Sequence, residues 1–164
     1  MSISEDSAGV STAELELRLG AYGEYGELFI QDSDGYSKSI PATDWTIIDD
    51  MNDGIFGGSV ALDGATGKMT FNKKGVYRGI FSTSFGLNNG AVVRGGVFIN
   101  GVLSDKSEFT RTIANPNDFG AATITSMSDI VVGVLPVVVE FKVFFDTART
   151  ISIENMNINI AGIS

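Results

Sequence analysis

Between residues 137 and 146 every second side chain is apolar. Val137, Val139, Phe141, Val143 and Phe145 alternate with Val138, Glu140, Lys142, Phe144 and Asp146. Successive side chains of a strand point to opposite faces, whereas a helix would mix the two sets, so this segment reads as a strand with one face against a core. The same period of two governs most of the chain. Leu15, Leu17 and Leu19 alternate with Glu14, Glu16 and Arg18 in an early strand, and further strands are expected at 27–31, 45–48, 59–62, 68–71, 76–85, 92–99, 108–113, 121–127 and 150–160. In the last of these, Ile151 and Ile153 fall in one register and Met156, Ile158 and Ile160 in the other, so one extra residue near Glu154-Asn155, a β-bulge, is needed. Asp34-Gly35, Asp53-Gly54, Asp63-Gly64, Asn89-Gly90 and Asn100-Gly101 punctuate the strands with the positive-φ chemistry that tight hairpins require. No segment has the pattern of a useful helix. The expectation is an all-β, antiparallel β-sandwich of about ten strands with jelly-roll topology.

Charge and composition narrow the function. The chain carries 11 basic and 20 acidic residues for a net charge of -9, and its longest basic run is Lys73-Lys74. Nucleic-acid binding depends on basic patches that displace counterions from phosphate, so no nucleic-acid partner is expected. No stretch approaches the ~20 apolar residues of a membrane helix, and no membrane partner is expected. The opening Met1-Ser2-Ile3-Ser4-Glu5-Asp6 has neither the basic start nor the apolar core of a secretory signal. Without Cys or His, thiolate nucleophiles, imidazole metal ligands and Ser-His-Asp triads are excluded. Glu24 with Glu27, or Glu14 with Glu16, could supply a glycosidase's two carboxyls only if they converged on one cleft. Acids on strand faces are ordinary, so the chain is expected not to be an enzyme, with no catalytic residue and no cofactor.

From about residue 64 to 163 the chain resembles the trimeric jelly roll of the globular heads of the first complement component and the tumour-necrosis-factor-like proteins. The residues that carry the resemblance are Gly67-Lys68-Met69-Thr70-Phe71 followed by Gly75-Val76-Tyr77, the strand Ile80-Phe81-Ser82-Thr83-Ser84-Phe85, and Val97-Phe98-Ile99-Asn100-Gly101. Thr123-Ile124-Thr125-Ser126-Met127, residues 137–145 and the closing strand from Thr150 to Ile160 complete it. Gly133-Val134-Leu135-Pro136 departs from the family's usual Gly-Asp before the penultimate strand. Ala21-Tyr22-Gly23-Glu24-Tyr25-Gly26-Glu27-Leu28-Phe29 is similar to the opening of jelly-roll proteins on tailed bacteriophages.

The resemblance implies a homotrimer on a virion: residues 1–26 as an N-terminal arm and attachment strand, and residues 27–164 as one jelly-roll domain. Tyr77, Phe81 and Phe85, with Val139, Phe141 and Val143, are expected in the protomer core. Val76, Arg78 and Ile80 lie on the other face of their strand, where a lone sandwich should be polar. With Ile158 and Ile160 they are the candidates for a threefold interface. The implied role is a capsid decoration or cement protein that stabilises the head shell against the major capsid protein or another virion protein. The alternative is a receptor-binding tip of a head or tail fibre, recognising host glycan or protein through loops at 103–107 and 114–120. A cellular signalling head of the complement or cytokine kind ranks behind both. Trp45, the sole Trp, is expected to be a half-buried anchor of the N-terminal third.

The acids offer one candidate cation site. Ca²⁺ takes six to eight oxygen ligands, and Asp49, Asp50 and Asp53 are the densest acids. Asp32-Ser33-Asp34-Gly35 starts like an EF-hand loop but has Ser37 in place of its Gly and Thr43 in place of its Glu, so it is rejected. The expectation is a solvated turn with no metal. A chelator should therefore leave the melting temperature unchanged in a thermal scan. A fall of several degrees reversed by added Ca²⁺ would assign the cluster to a metal.

Overall fold

The computed structural model describes residues 23–31, 35–87, 90–113, 120–130 (backbone only) and 135–163. The early strand at 15–19, the arm as far as residue 22, and the loop at 114–119 lie outside these residues. Among the described residues there are thirteen strands: β1 Tyr25–Ile30, β2 Tyr36–Ile40, β3 Thr46–Ile47, β4 Asn52–Gly57, β5 Ala61–Asp63, β6 Lys68–Phe71, β7 Gly75–Gly86, β8 Val92–Ile99, β9 Val102–Leu103, β10 Phe109–Thr112, β11 Gly120–Ile130, β12 Val137–Phe144 and β13 Arg149–Gly162. Two single 3₁₀ turns, Gly64–Thr66 and Asp105–Ser107, are the only helical elements among the described residues.

The strands form two antiparallel sheets. Sheet I runs β11-β7-β13-β1-β4, with β2 also on β13, and sheet II runs β10-β8-β12-β6-β5, with β3 on β12 and β9 on β8. Each sheet is organised by one strand that holds two partners end to end along one edge. On β13, residues 149–153 pair with β2 and residues 156–161 with β1. On β12, residues 137–140 pair with β6 and residues 142–143 with β3. β7, opposite the β1 and β2 edge, continues the sheet along most of β13.

Alternation sets the core, as the sequence implies. Tyr77, Phe81 and Phe85 of β7 and Val139, Phe141 and Val143 of β12 are buried between the sheets. The sheets meet through the rings of Phe81 and Phe141, stacked with centroids 4.0 Å apart, and Phe109 stacks on Phe141 from β10 at 6.4 Å. The register of β13 against β7 shifts between Ile153 and Asn155, the bulge that the isoleucine pattern requires.

Three features differ from the sequence reading. β2 and β9 were not expected, and β4 occupies a stretch read as a turn. Asp53-Gly54 is not a hairpin turn but part of β4, where Gly54 lies under the Glu27 side chain: a Cβ there would come within 2.5 Å of Oε2. Asn100-Gly101 does form a tight turn, with φ of 49° and 79°, and β9 returns along β8 from it.

One end of the sandwich is closed by a buried acid. Glu24 is 1% exposed. Its Oε2 accepts the Ser59 N–H at 2.8 Å and the Ser59 hydroxyl at 2.9 Å, its Oε1 lies 2.9 Å from Lys73 Nζ, and its carbonyl accepts the Gly162 N–H at 2.8 Å. One residue thereby ties the start of β1 to the β4–β5 link, the β6–β7 link and the end of β13. Burial by itself would raise its pKa, but Lys73 and the two Ser59 donors outweigh burial and hold the carboxyl below its ordinary range. The neighbouring Tyr77 hydroxyl, pushed up to about 12 by burial and by the Glu24 charge, stays protonated and donates to the Lys73 carbonyl at 2.8 Å.

Because folding lowers the Glu24 pKa, the clamp stabilises the fold above the unfolded value of about 4.3. That contribution is lost as pH falls through the lower folded value. Glu24→Gln should cost roughly 1–3 kcal/mol in denaturant unfolding at pH 7. It should also flatten the loss of stability below about pH 4.3. A variant with the parent's stability at pH 7 and the parent's acid limb would remove the clamp.

Candidate functional site

The two outer faces of the sandwich are finished differently. On sheet II, Trp45 is half-buried against Phe98 at 5.2 Å and Phe144 at 5.5 Å, and the Arg94 guanidinium lies over both the Trp45 and Phe144 rings at 5.4 and 5.2 Å. Arg94 also pairs with Glu108, and Glu140 with Lys142 at 3.0 Å and Lys68 at 3.7 Å. The Arg94–Glu108 pair is partly exposed, and surface ion pairs of this kind contribute little stability. What they do is leave the aromatic ridge covered and the charges matched.

Sheet I presents another surface. Val76, Arg78, Ile80, Ser82 and Ser84 alternate outward along β7, and Ile80 remains 46% exposed. In register beside them on β13 are Ala161 opposite Arg78, Asn159 opposite Ile80, Asn157 opposite Ser82 and Asn155 opposite Ser84. β1 extends the face with Tyr25 opposite Ala161, Glu27 opposite Asn159 and Phe29 opposite Asn157. Directly opposed residues of an antiparallel pair share a face. The surface therefore carries Val76, Arg78 and Ile80 at one end and is amide-rich at the bulge. There an open groove of about 420 Å³ is lined by Glu27, Phe29, Gln31, Ser82, Asn155 and Asn157. The Asn157 amide donates to Glu27 Oε1 at 2.5 Å and fixes the carboxylate in the groove wall.

Three of the five sequence candidates for an interface, Val76, Arg78 and Ile80, therefore lie together on this face. Ile158 and Ile160 do not. They are buried in the protomer core, 3% and 7% exposed, because the bulge returns Met156, Ile158 and Ile160 to the side of Ile151 and Ile153. The residues that share the outer face with Ile80 are Asn155, Asn157, Asn159 and Ala161. Their signal in the sequence is the strict Asn-X-Asn-X-Asn alternation, which a polar outer face explains.

The carboxylates do not converge. Burial alternates from Glu24 through β1, so Glu24 and Glu27, three residues apart, project to opposite sides of the sheet. Glu14 and Glu16 lie outside the described residues. In the acidic cluster Asp49 pairs with Lys38, Asp53 Oδ1 accepts the Gly64 N–H at 2.7 Å, and Asp50 sits at a φ of 51° with its N–H on the Ala65 carbonyl. Two of these acids are thus engaged in holding β2 and the first 3₁₀ turn, and no group of three or more acids is arranged to hold a metal ion among the described residues. Tyr36, close by, has its hydroxyl pKa raised by burial and then by the Asp49 and Asp50 charges. The segment 103–107 is pinned: Ser107 is fully buried, accepting the Val97 N–H at 2.9 Å and donating to the Ser104 carbonyl at 2.8 Å.

No family model and no curated protein sequence matches the chain. Solved structures do. The vertex protein P5 of PRD1 superposes with a TM-score of 0.52 at 18% identity, covering 87% of this chain and 74% of that one. The globular domain of the zebrafish complement 1qA protein gives 0.54 at 13% identity, covering 87% and 98%. The Eiger tumour necrosis factor of S. frugiperda gives 0.53 at 10% identity, covering 86% and 94%. The likeness reaches well beyond the two-thirds of the chain that carries the sequence resemblance. The fold is the jelly roll of the complement and tumour-necrosis-factor-like heads.

Proposed function

We propose that this chain is a bacteriophage virion structural protein, a homotrimeric decoration or cement protein on the head shell, and that it catalyses nothing. The observation that carries the reading is the outer face of sheet I. Ile80 is 46% exposed in the middle of β7 beside half-buried Val76 and the asparagines of β13, while the outward rings of the other face lie under Arg94 and Lys142. Closed cyclic symmetry is the ordinary way a chain covers such a face with copies of itself. The likeness to a vertex protein of a phage supports a place on the virion, and the pinned 103–107 segment disfavours that loop as an adaptable receptor site.

In this role a trimer sits over a junction of shell subunits. Its arms and strand edges add main-chain hydrogen bonds to the neighbouring capsid protein. Binding that exists only on the assembled shell stabilises the shell by mass action.

Immunolabelled native particles viewed by electron microscopy test the location: label should spread over the head, and label confined to fibre ends would replace the cement role with a receptor-binding one. The assembly has its own test. Ile80→Asp places a charge where the copies would meet, and desolvating an unpaired carboxylate costs several kcal/mol. Its mass by light scattering should fall from three chains to one while its circular dichroism stays that of the parent. A variant that keeps the parent's mass would take Ile80 out of any subunit contact.

A further inference from the structure

The groove beside the bulge belongs neither to the Ile80 contact nor to the Glu24 clamp. It lies where two strands share one edge of β13. β2 pairs with residues 149–153 and β1 with residues 156–161, so Glu154 and Asn155 fall between the two partners. Next to that join, one rung sets Ser82, Asn157 and Phe29 side by side on β7, β13 and β1. Two strand spacings, about 10 Å, separate Ser82 from Phe29. Glu27 is the next outward residue of β1. Asn155 is exposed, and Glu27, Phe29, Ser82 and Asn157 are half-buried.

The lining chemistry selects a class of ligand. Among the described residues no Lys or Arg lines the groove, so nothing there balances a phosphate or a carboxylate. Glu27 is its single acid, too few oxygens for a cation that takes six to eight ligands. The groove instead combines a carboxylate that only accepts, amides that donate and accept, and a hydroxyl that does both. A neutral polyhydroxylated ring is the complement of that set. Its hydroxyls donate to the carboxylate and accept from the amides, and its C–H face rests on an aromatic ring. The Asn157 amide already holds Glu27 Oε1 at 2.5 Å, so the acceptor is set before a ligand arrives and the ordering cost of binding is small. An open groove of about 420 Å³ suits a segment of a longer chain better than an enclosed small molecule.

We propose that this groove binds a neutral saccharide, with Glu27, Asn155 and Asn157 taking its hydroxyls and Phe29 its ring face. Glu27 contributes most, because a hydrogen bond to a charged acceptor is stronger than one between neutral groups. Ile80 is not among the lining residues. The inference goes beyond the head-shell reading and does not rest on it.

The test follows the side-chain amide signals of Asn155 and Asn157 by nuclear magnetic resonance in the isotopically labelled full chain. The methyl glycosides of glucose, galactose, mannose and N-acetylglucosamine are added one at a time. At least one glycoside should shift both signals saturably. Glu27→Gln should then weaken its binding by about tenfold or more. Phe29→Ala should weaken it too, and Glu108→Gln on sheet II should leave it unchanged, with the circular dichroism of every variant that of the parent. The absence of a saturable shift with any of these glycosides would overturn the proposal. Shifts with triglycine and with no glycoside would overturn it in favour of a peptide. Binding that keeps the parent's strength in both Glu27→Gln and Phe29→Ala would move the saccharide out of this groove. Label spread over the head of native particles together with no glycoside shift would leave the shell role standing and remove this one alone.

Discussion

The extra residue in β13 is the constraint on which the rest of this sandwich depends. Upstream of it Ile151 and Ile153 face the core, and downstream Met156, Ile158 and Ile160 do. Without the bulge the second half of the strand would turn those three side chains to water and bury Asn155, Asn157 and Asn159. Each large apolar side chain left exposed forfeits roughly 1.5–3 kcal/mol. Each amide buried without a partner costs roughly 1–3 kcal/mol more. Terms of that size, repeated along one strand, leave no competing register. Because β13 pairs with β7 on one side and with β1 and β2 on the other, its register sets theirs.

That choice also decides what sheet I shows to the outside. The three asparagines and Ala161 line up beside Ser84, Ser82, Ile80 and Arg78, giving a face that is part amide and part apolar. On sheet II, Arg94 and Lys142 lie over the outward rings and pair with Glu108 and Glu140, and Val92 at the start of β8 is left 39% exposed. The difference between the faces is in their middles: sheet II covers its outward aromatic rings with cations, and sheet I leaves Ile80 46% exposed between Arg78 and Ser82. Glu24 ties the start of β1 to the β4–β5 and β6–β7 links and to the end of β13. A carboxylate removed from water is tolerable only with charged and hydrogen-bonded partners, and those partners come from segments far apart in sequence.

Much of this was legible in the residues. The alternation of Val137 to Phe145 and of Tyr77, Phe81 and Phe85 identified strands and their inward faces, since a period of two admits no other regular structure. The mismatch of the isoleucines announced the bulge. The outward facing expected of Ile158 and Ile160 is not what the structure has, because the same bulge turns both side chains into the core. β4 was hidden for another reason: Asp53-Gly54 has turn chemistry, but Glu27 from β1 packs over the glycine and the segment is drawn into the sheet. β2, with the pattern Tyr-Ser-Lys-Ser-Ile, has too little alternation of polarity to be seen locally.

By itself, then, the sequence determined the class of fold, the inward set of each strong strand and the place of the bulge, because these follow from polarity repeating along one stretch of chain. Only the tertiary structure decided which strands lie beside β13, that Glu24 rather than the aspartate cluster is the buried acid, and which outward rings are covered by cations. Those outcomes depend on residues brought together from distant parts of the chain, Ser59 and Lys73 around Glu24 or Arg94 over Trp45, and no local pattern records which distant group will arrive.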